Sequence, residues 1–171
     1  MKKLFIPLVA SLFIALASCN KPAAPAETKS APVDSLGESN KALVAKFLAS
    51  VFSNDTITFA NCMAEDYMQH GPGIKDSVNK AQEIAVWKKN WKEQYASIKY
   101  NRAAVLAYSV TPEMNKLVAG DWVMEWGQIE MAFKNGMPTV KFNLHLTLRI
   151  TNGKIDREYV YFNLADILAQ Q

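Results

Sequence analysis

Cysteine and histidine are scarce in this sequence, with two of each among 171 residues. The histidines, His70 and His145, lie far apart, and no His-x-x-Glu or paired-carboxylate spacing gathers ligands on one element, so no metal site is expected. No Gly-rich loop follows a predicted strand and no Gly-x-Ser-x-Gly elbow occurs, which argues against nucleotide binding and serine-hydrolase chemistry. The formal charge is only +3, and Lys88, Lys89 and Lys92 run straight into Glu93 instead of forming a basic stripe, so nucleic acid is not an expected partner. There is no internal repeat and no sign of a second domain.

The N-terminus is more distinctive. Lys2 and Lys3 precede an apolar run over 4–17, which is too short to span a bilayer and ends on Leu16-Ala17-Ser18-Cys19. This segment resembles a bacterial lipoprotein signal with its lipobox. The resemblance implies cleavage before Cys19 and acylation of that cysteine, giving a membrane anchor of several acyl chains. Loss of residues 1–18 removes two lysines and leaves a mature charge of +1. Asn20, in place of the aspartate that retains many lipoproteins in the inner membrane, points to the outer membrane, on its periplasmic or surface face. Cys62 is then the only other thiol and reads as a small buried hydrophobe. Residues 19–36, rich in Ala, Pro, Ser and Thr, read as a disordered tether.

From 37 to 171 the composition supports one domain with one core. Ser35 and Glu38 fit a capping box, and Leu43, Val44, Phe47, Leu48, Val51 and Phe52 recur at helical spacing. A short second helix is expected over 56–63, with Ile57, Phe59, Ala60 and Met63 inward, followed by an extended segment at 66–70 stopped by Gly71-Pro72-Gly73. A third helix starting near 77–79 carries Ile84, Trp87, Trp91 and Tyr95 on one stripe. The pattern then changes period: 98–110, 116–133, 139–150 and 155–162 alternate as strands of an antiparallel meander, with Asn135-Gly136 and Asn152-Gly153 as hairpin signals. A short helix over 165–169 closes the chain. Helices followed by long strands make an α+β fold whose sheet must curl.

Asp66-Tyr67-Met68-Gln69-His70-Gly71-Pro72, the Trp-bearing helix, Asn152-Gly153-Lys154-Ile155 and the terminal Tyr161-Phe162-Asn163-Leu164 together resemble the SnoaL-like branch of the nuclear transport factor 2 (NTF2-like) superfamily. The resemblance covers nearly all of 37–171. It implies a cone, a strongly curved antiparallel sheet packed against N-terminal helices, in a family whose members include cyclases, isomerases, dehydratases, epoxide hydrolases and proteins of no known reaction. Carried over, His70 matches the histidine of a Tyr-x-x-His-x-Pro stretch and becomes the candidate acid/base residue. Asn163 stands where many relatives have an aspartate, and an amide cannot take that proton.

A cone implies a small-molecule pocket. Trp122, Met124 and Trp126 share one strand face, and Trp87, Trp91, Tyr95, Tyr100 and Tyr108 offer further walls with polar tips. The leading expectation is a membrane-tethered domain that binds a small, mainly apolar molecule, with Trp87, Trp91, Tyr108, Trp126 and Asn163 at the ligand. The enzyme alternative is a cofactor-free isomerase, cyclase or dehydratase with His70, beside Asp66 or Glu125, as general base and Tyr161 as donor to the substrate oxygen. On the 139–150 segment Leu144, Leu146, Leu148 and Ile150 are the better core row. His145, with Asn143, Thr147 and Arg149, then lies on the outer face, where a homodimer or an envelope partner is the third expectation; should the strand curl so that this row meets the cavity, His145 and Arg149 become ligand-orienting groups instead.

Overall fold

The computed structural model describes residues 35–171. The lipoprotein signal, Cys19 and all of the tether but Ser35 and Leu36 lie outside them. Helices α1 (Ser35–Phe52) and α2 (Thr56–Cys62) are followed by strands β1 (Met63–His70) and β2 (Ser77–Asn79), helix α3 (Lys80–Glu93), strands β3 (Tyr95–Val110), β4 (Gly120–Phe133), β5 (Val140–Thr151) and β6 (Lys154–Tyr161), and helix α4 (Leu164–Ala169). Among the described residues no helix is long and apolar enough to cross a membrane.

The helical spacing of α1 places Val44, Phe47, Leu48 and Val51 on one buried stripe. Asn54, at positive φ, and Asp55, whose side chain accepts from the Thr58 amide, separate α1 from α2. In α2 Phe59 is buried but Ile57 is 75% exposed, because a seven-residue helix lying on the core presents only one face. Asn79 caps α3: its side chain accepts from the Gln82 amide while Gln82 accepts from the Asn79 amide. Helix α3 is tied to α1 by the Trp91 indole, which donates to the Val51 carbonyl in the last turn of α1 at 2.9 Å.

The strands form one six-stranded sheet in the order β2-β1-β6-β5-β4-β3. The four long strands pair as the antiparallel meander that the alternation predicts. The sheet is nonetheless mixed. Strand β1 joins it parallel to β6, an arrangement open to it because α3 and four strands of chain intervene. The Asn152-Gly153 pair makes a two-residue hairpin between Thr151 and Lys154, with both residues at positive φ. Asn135-Gly136 instead sits in a six-residue loop before β5, where only Gly136 has positive φ and the Asn135 side chain accepts from the Met137 amide.

Alternation divides the sheet into two faces. Toward the helices point Leu144, Leu146, Leu148 and Ile150 of β5, with Val123, Ile129 and Met131 of β4, all in the buried core. On the opposite, outer face the cross-strand partners Tyr108, Trp122, Arg149 and Arg157 form one row, and Trp126, His145 and Tyr161 another. A register irregularity after Arg102 re-phases β3, so that Ile98, Tyr100 and Arg102 face inward in its first half and Val105 and Ala107 in its second.

Gly127 makes this packing possible. A Cβ there would lie 2.6 Å from the Tyr100 phenol oxygen and closer still to its ring. That ring is held by a 2.8 Å bond from its hydroxyl to Glu125 and by Phe52, 5.2 Å away between centroids. Gly127→Ala is expected to destabilise the fold by about 1–3 kcal/mol through overpacking, seen as a lower urea midpoint at unchanged slope.

Candidate functional site

Between the inner face of the sheet and helices α1, α3 and α4 lies a cavity of about 390 Å³, within the range of small-molecule sites. Its walls are apolar and aromatic: Phe47, Phe52, Trp87, Phe133 and Phe142, with the leucines of β5 as floor. Two acids interrupt them, Glu83 from α3 and Glu158 from β6, both nearly or fully buried.

Strand β6 carries Glu158 inward because it pairs with Leu148 on one side and Gln69 on the other. Its carboxylate accepts a short hydrogen bond from the Tyr67 hydroxyl, and Tyr67 has no exposed surface. Glu83 accepts from the indole of Trp87, one helical turn later, at 2.7 Å. Burial, reinforced by the nearby Glu83 and opposed by the Tyr67 bond, pushes the Glu158 carboxyl up to about 8. Burial likewise raises Glu83, opposed by its bond from Trp87. Burial, reinforced by both acids, drives the Tyr67 phenol well above its ordinary value.

Neither acid was singled out by the sequence reading, although a signal was present. The polar row Arg157, Tyr159, Tyr161 and Asn163, along β6 and just beyond it, has as its complement Asp156, Glu158, Val160 and Phe162, in which two acids lead into apolar residues.

The expected site residues separate. Trp87 lines the cavity. Trp91 packs against the core and bonds to Val51, without lining the cavity. Tyr108, Trp126 and Tyr161 stand on the outer face, so the wall expected from Trp122, Met124 and Trp126 is on the wrong side of the sheet. Asn163 caps α4 by accepting from the Asp166 amide. His70 follows Gln69, which faces the cavity, and therefore points outward, where it stacks on Tyr159 at 5.0 Å. Its expected carboxylates lie elsewhere: Asp66 is 3.9 Å from Arg157, and Glu125 is bound on the inner side by Arg102 and Tyr100. His145 lies on the outer face as the leucine row requires, 4.9 Å from the Trp126 ring and 3.1 Å from the Thr147 hydroxyl. Among the described residues no cluster of His, Cys, Asp and Glu is arranged to hold a metal.

No protein-family model matches the chain, and no curated protein matches it in sequence. Solved structures do match in shape. An epoxide hydrolase of the LEH-like type from M. tuberculosis superposes with a TM-score of 0.61 at 12% identity, over 79% of this chain and 90% of that one. A ketosteroid isomerase-like protein from Catenulispora acidiphila, in complex with trimethylamine, gives 0.59 at 16% identity over 75% and 90%. The chain has the NTF2-like fold. An NTF2-like protein of unknown function from Cytophaga hutchinsonii gives 0.54 at 16% identity over 75% and 93%. At these identities the NTF2-like cone is what is shared, and its chemistry must be read from this chain's own cavity.

An acid that keeps its proton to about pH 8 makes folding depend on pH. Unfolded, a glutamate titrates near ~4.3. Between the two values the folded chain binds a proton that the unfolded chain has lost, so the contribution is full at acid pH and stability falls as pH rises. The limiting slope is about tenfold in the folding equilibrium per pH unit, levelling off above the folded value. Glu158→Gln, whose amide oxygen still accepts from Tyr67, is expected to flatten this decline; urea midpoints measured between about pH 5 and 9 check it.

Proposed function

We propose that this NTF2-like domain binds a small, mainly apolar molecule in its cone, with the polar end of the ligand at Glu158 and Glu83. The observation that carries this reading is an apolar, aromatic cavity of about 390 Å³ with two hydrogen-bonded acids set into its wall. Trimethylamine in the Catenulispora protein supports a fold that accommodates small molecules. Leu146 on the cavity floor offers a direct test. Leu146→Trp fills the space and is expected to weaken binding of a neutral apolar probe, tert-butylbenzene, by at least about tenfold in calorimetry. Unchanged affinity would remove the cavity as the binding site.

One further observation favours a second reading, acid/base catalysis of the isomerase type. Glu158, with a proton affinity near working pH and a phenol donating to it, is placed to exchange a proton with carbon beside a carbonyl. It takes the role expected of His70. Deuterium exchange into a cyclic ketone is expected to fall by about 100-fold in Glu158→Gln and to be unaltered in His70→Ala. Equal rates in the wild type and Glu158→Gln would end the catalytic reading.

The lipoprotein-like N-terminus supports a domain held at the bacterial envelope, at the outer membrane, through acyl chains on Cys19. Metabolic labelling with palmitate is expected to mark the wild type and not Cys19→Ala.

A further inference from the structure

Four acidic side chains of the described residues are buried: Glu83, Glu125, Asp156 and Glu158. Two have a cation in contact. Arg102 meets Glu125, and Arg149 grips Asp156 with bonds of 2.6 and 3.1 Å. Some exposed acids are also matched, such as Glu38 on Lys41 and Glu65 on Lys80. Glu83 and Glu158 differ. Their partners are an indole N–H and a phenol O–H, no ion pair reaches either, and no Lys, Arg or His lines the cavity among the described residues. The titratable groups facing them are Tyr67 from β1 and Tyr95 at the start of β3, neither of which supplies a positive charge.

Two neighbouring buried acids without a counter-charge are costly to ionise, and each raises the proton affinity of its surroundings. A ligand that brought a positive charge would relieve this, provided that the rest of the cavity could receive it. The walls can. Trp87 presents its ring beside the carboxylate that its own N–H contacts, Tyr95 lies 6.0 Å from Trp87, and Phe133 lies 6.1 Å from Tyr95 between centroids. Electron-rich ring faces beside acids recognise alkylated ammonium groups, whose charge is spread over apolar surface and needs few hydrogen bonds. An anionic ligand would meet only repulsion there.

On the reading that this cavity binds small molecules, we infer that its ligand class is the lipophilic organic cation: an amine in its protonated form or a quaternary ammonium, with the charged centre between Glu83, Glu158 and Trp87 and the apolar remainder toward Phe133 and Phe142. Binding then moves protons. The cation converts carboxyl groups that carry protons in the empty cavity into carboxylates, and those protons leave to solvent.

Calorimetry of the full-length chain with phenyltrimethylammonium and with its neutral isostere tert-butylbenzene tests this. At about pH 9 the cation is expected to bind at least tenfold more tightly than the isostere, and at about pH 6 that preference should shrink. Titrations at about pH 7, where the empty cavity still holds its protons, in buffers of different ionisation heat should show net proton release for the cation alone. Combining Glu83→Gln with Glu158→Gln should bring the ratio of the two affinities to within about twofold of one. Should the double variant fail to fold, proton release by the wild type decides the question by itself. Equal or tighter binding of tert-butylbenzene at both pH values, or cation binding without proton release, would overturn the cationic ligand and leave the cavity reading standing. Failure of both probes to bind at either pH would overturn the two together.

Discussion

Period-two alternation along four long, paired strands is the constraint on which this molecule depends. Because each residue of β3 to β6 must face either the helices or the opposite side, one choice of register fixes the core, the cavity and the outer face at once. The leucines of β5 settle it. Burying Leu144, Leu146 and Leu148 under α1 and α4 forces His145 and Thr147 outward, and cross-strand pairing carries that decision to Trp126 on β4 and Tyr161 on β6. At roughly 1.5–3 kcal/mol for each large apolar side chain buried, no polar preference on the other row competes.

The same alternation explains why the cavity exists. On β4 the bulky residues Trp122, Met124 and Trp126 are on the outer face, whereas the inner row contains Val123, Glu125 and Gly127. The space left above the small residues is partly filled by the Tyr100 ring across Gly127. Farther along, where Ile129 and Met131 meet Phe133 and the helices, filling is incomplete and a ligand-sized void is left. Acids at its edge are tolerated because each has a hydrogen-bond donor, Tyr67 or Trp87, built into a neighbouring element.

Most of the fold was legible in the sequence, since long alternating strands, an Asn-Gly hairpin and a periodic first helix report local physics directly. The parallel pairing of β1 with β6 was not, because it joins segments about ninety residues apart and leaves no local mark. The site was read less well, for a specific reason. Aromatic bulk on β4 was taken as lining, yet hydrophobicity alone does not say which of two rows faces the helices when both rows contain apolar residues. His70 attracted attention as the familiar proton carrier, but strand parity puts Gln69 inside and His70 outside. Glu158 was hidden by its own neighbours, as an acid in a row that runs on into the apolar Val160 and Phe162.

Helix α4 has a consequence for the traffic of molecules. It contributes Leu164, Ile167 and Leu168 to the cavity wall, yet none of its six residues is buried, and its hold on β5 includes the Gln170 amide paired with both backbone groups of Lys141 at 2.8 Å. A wall fastened so lightly opens at a small fraction of the free energy that unfolds the sheet. How quickly the cone exchanges its contents is thereby separated from how stable the cone is, and residence time can be tuned at Gln170 without disturbing the strands that shape the cavity.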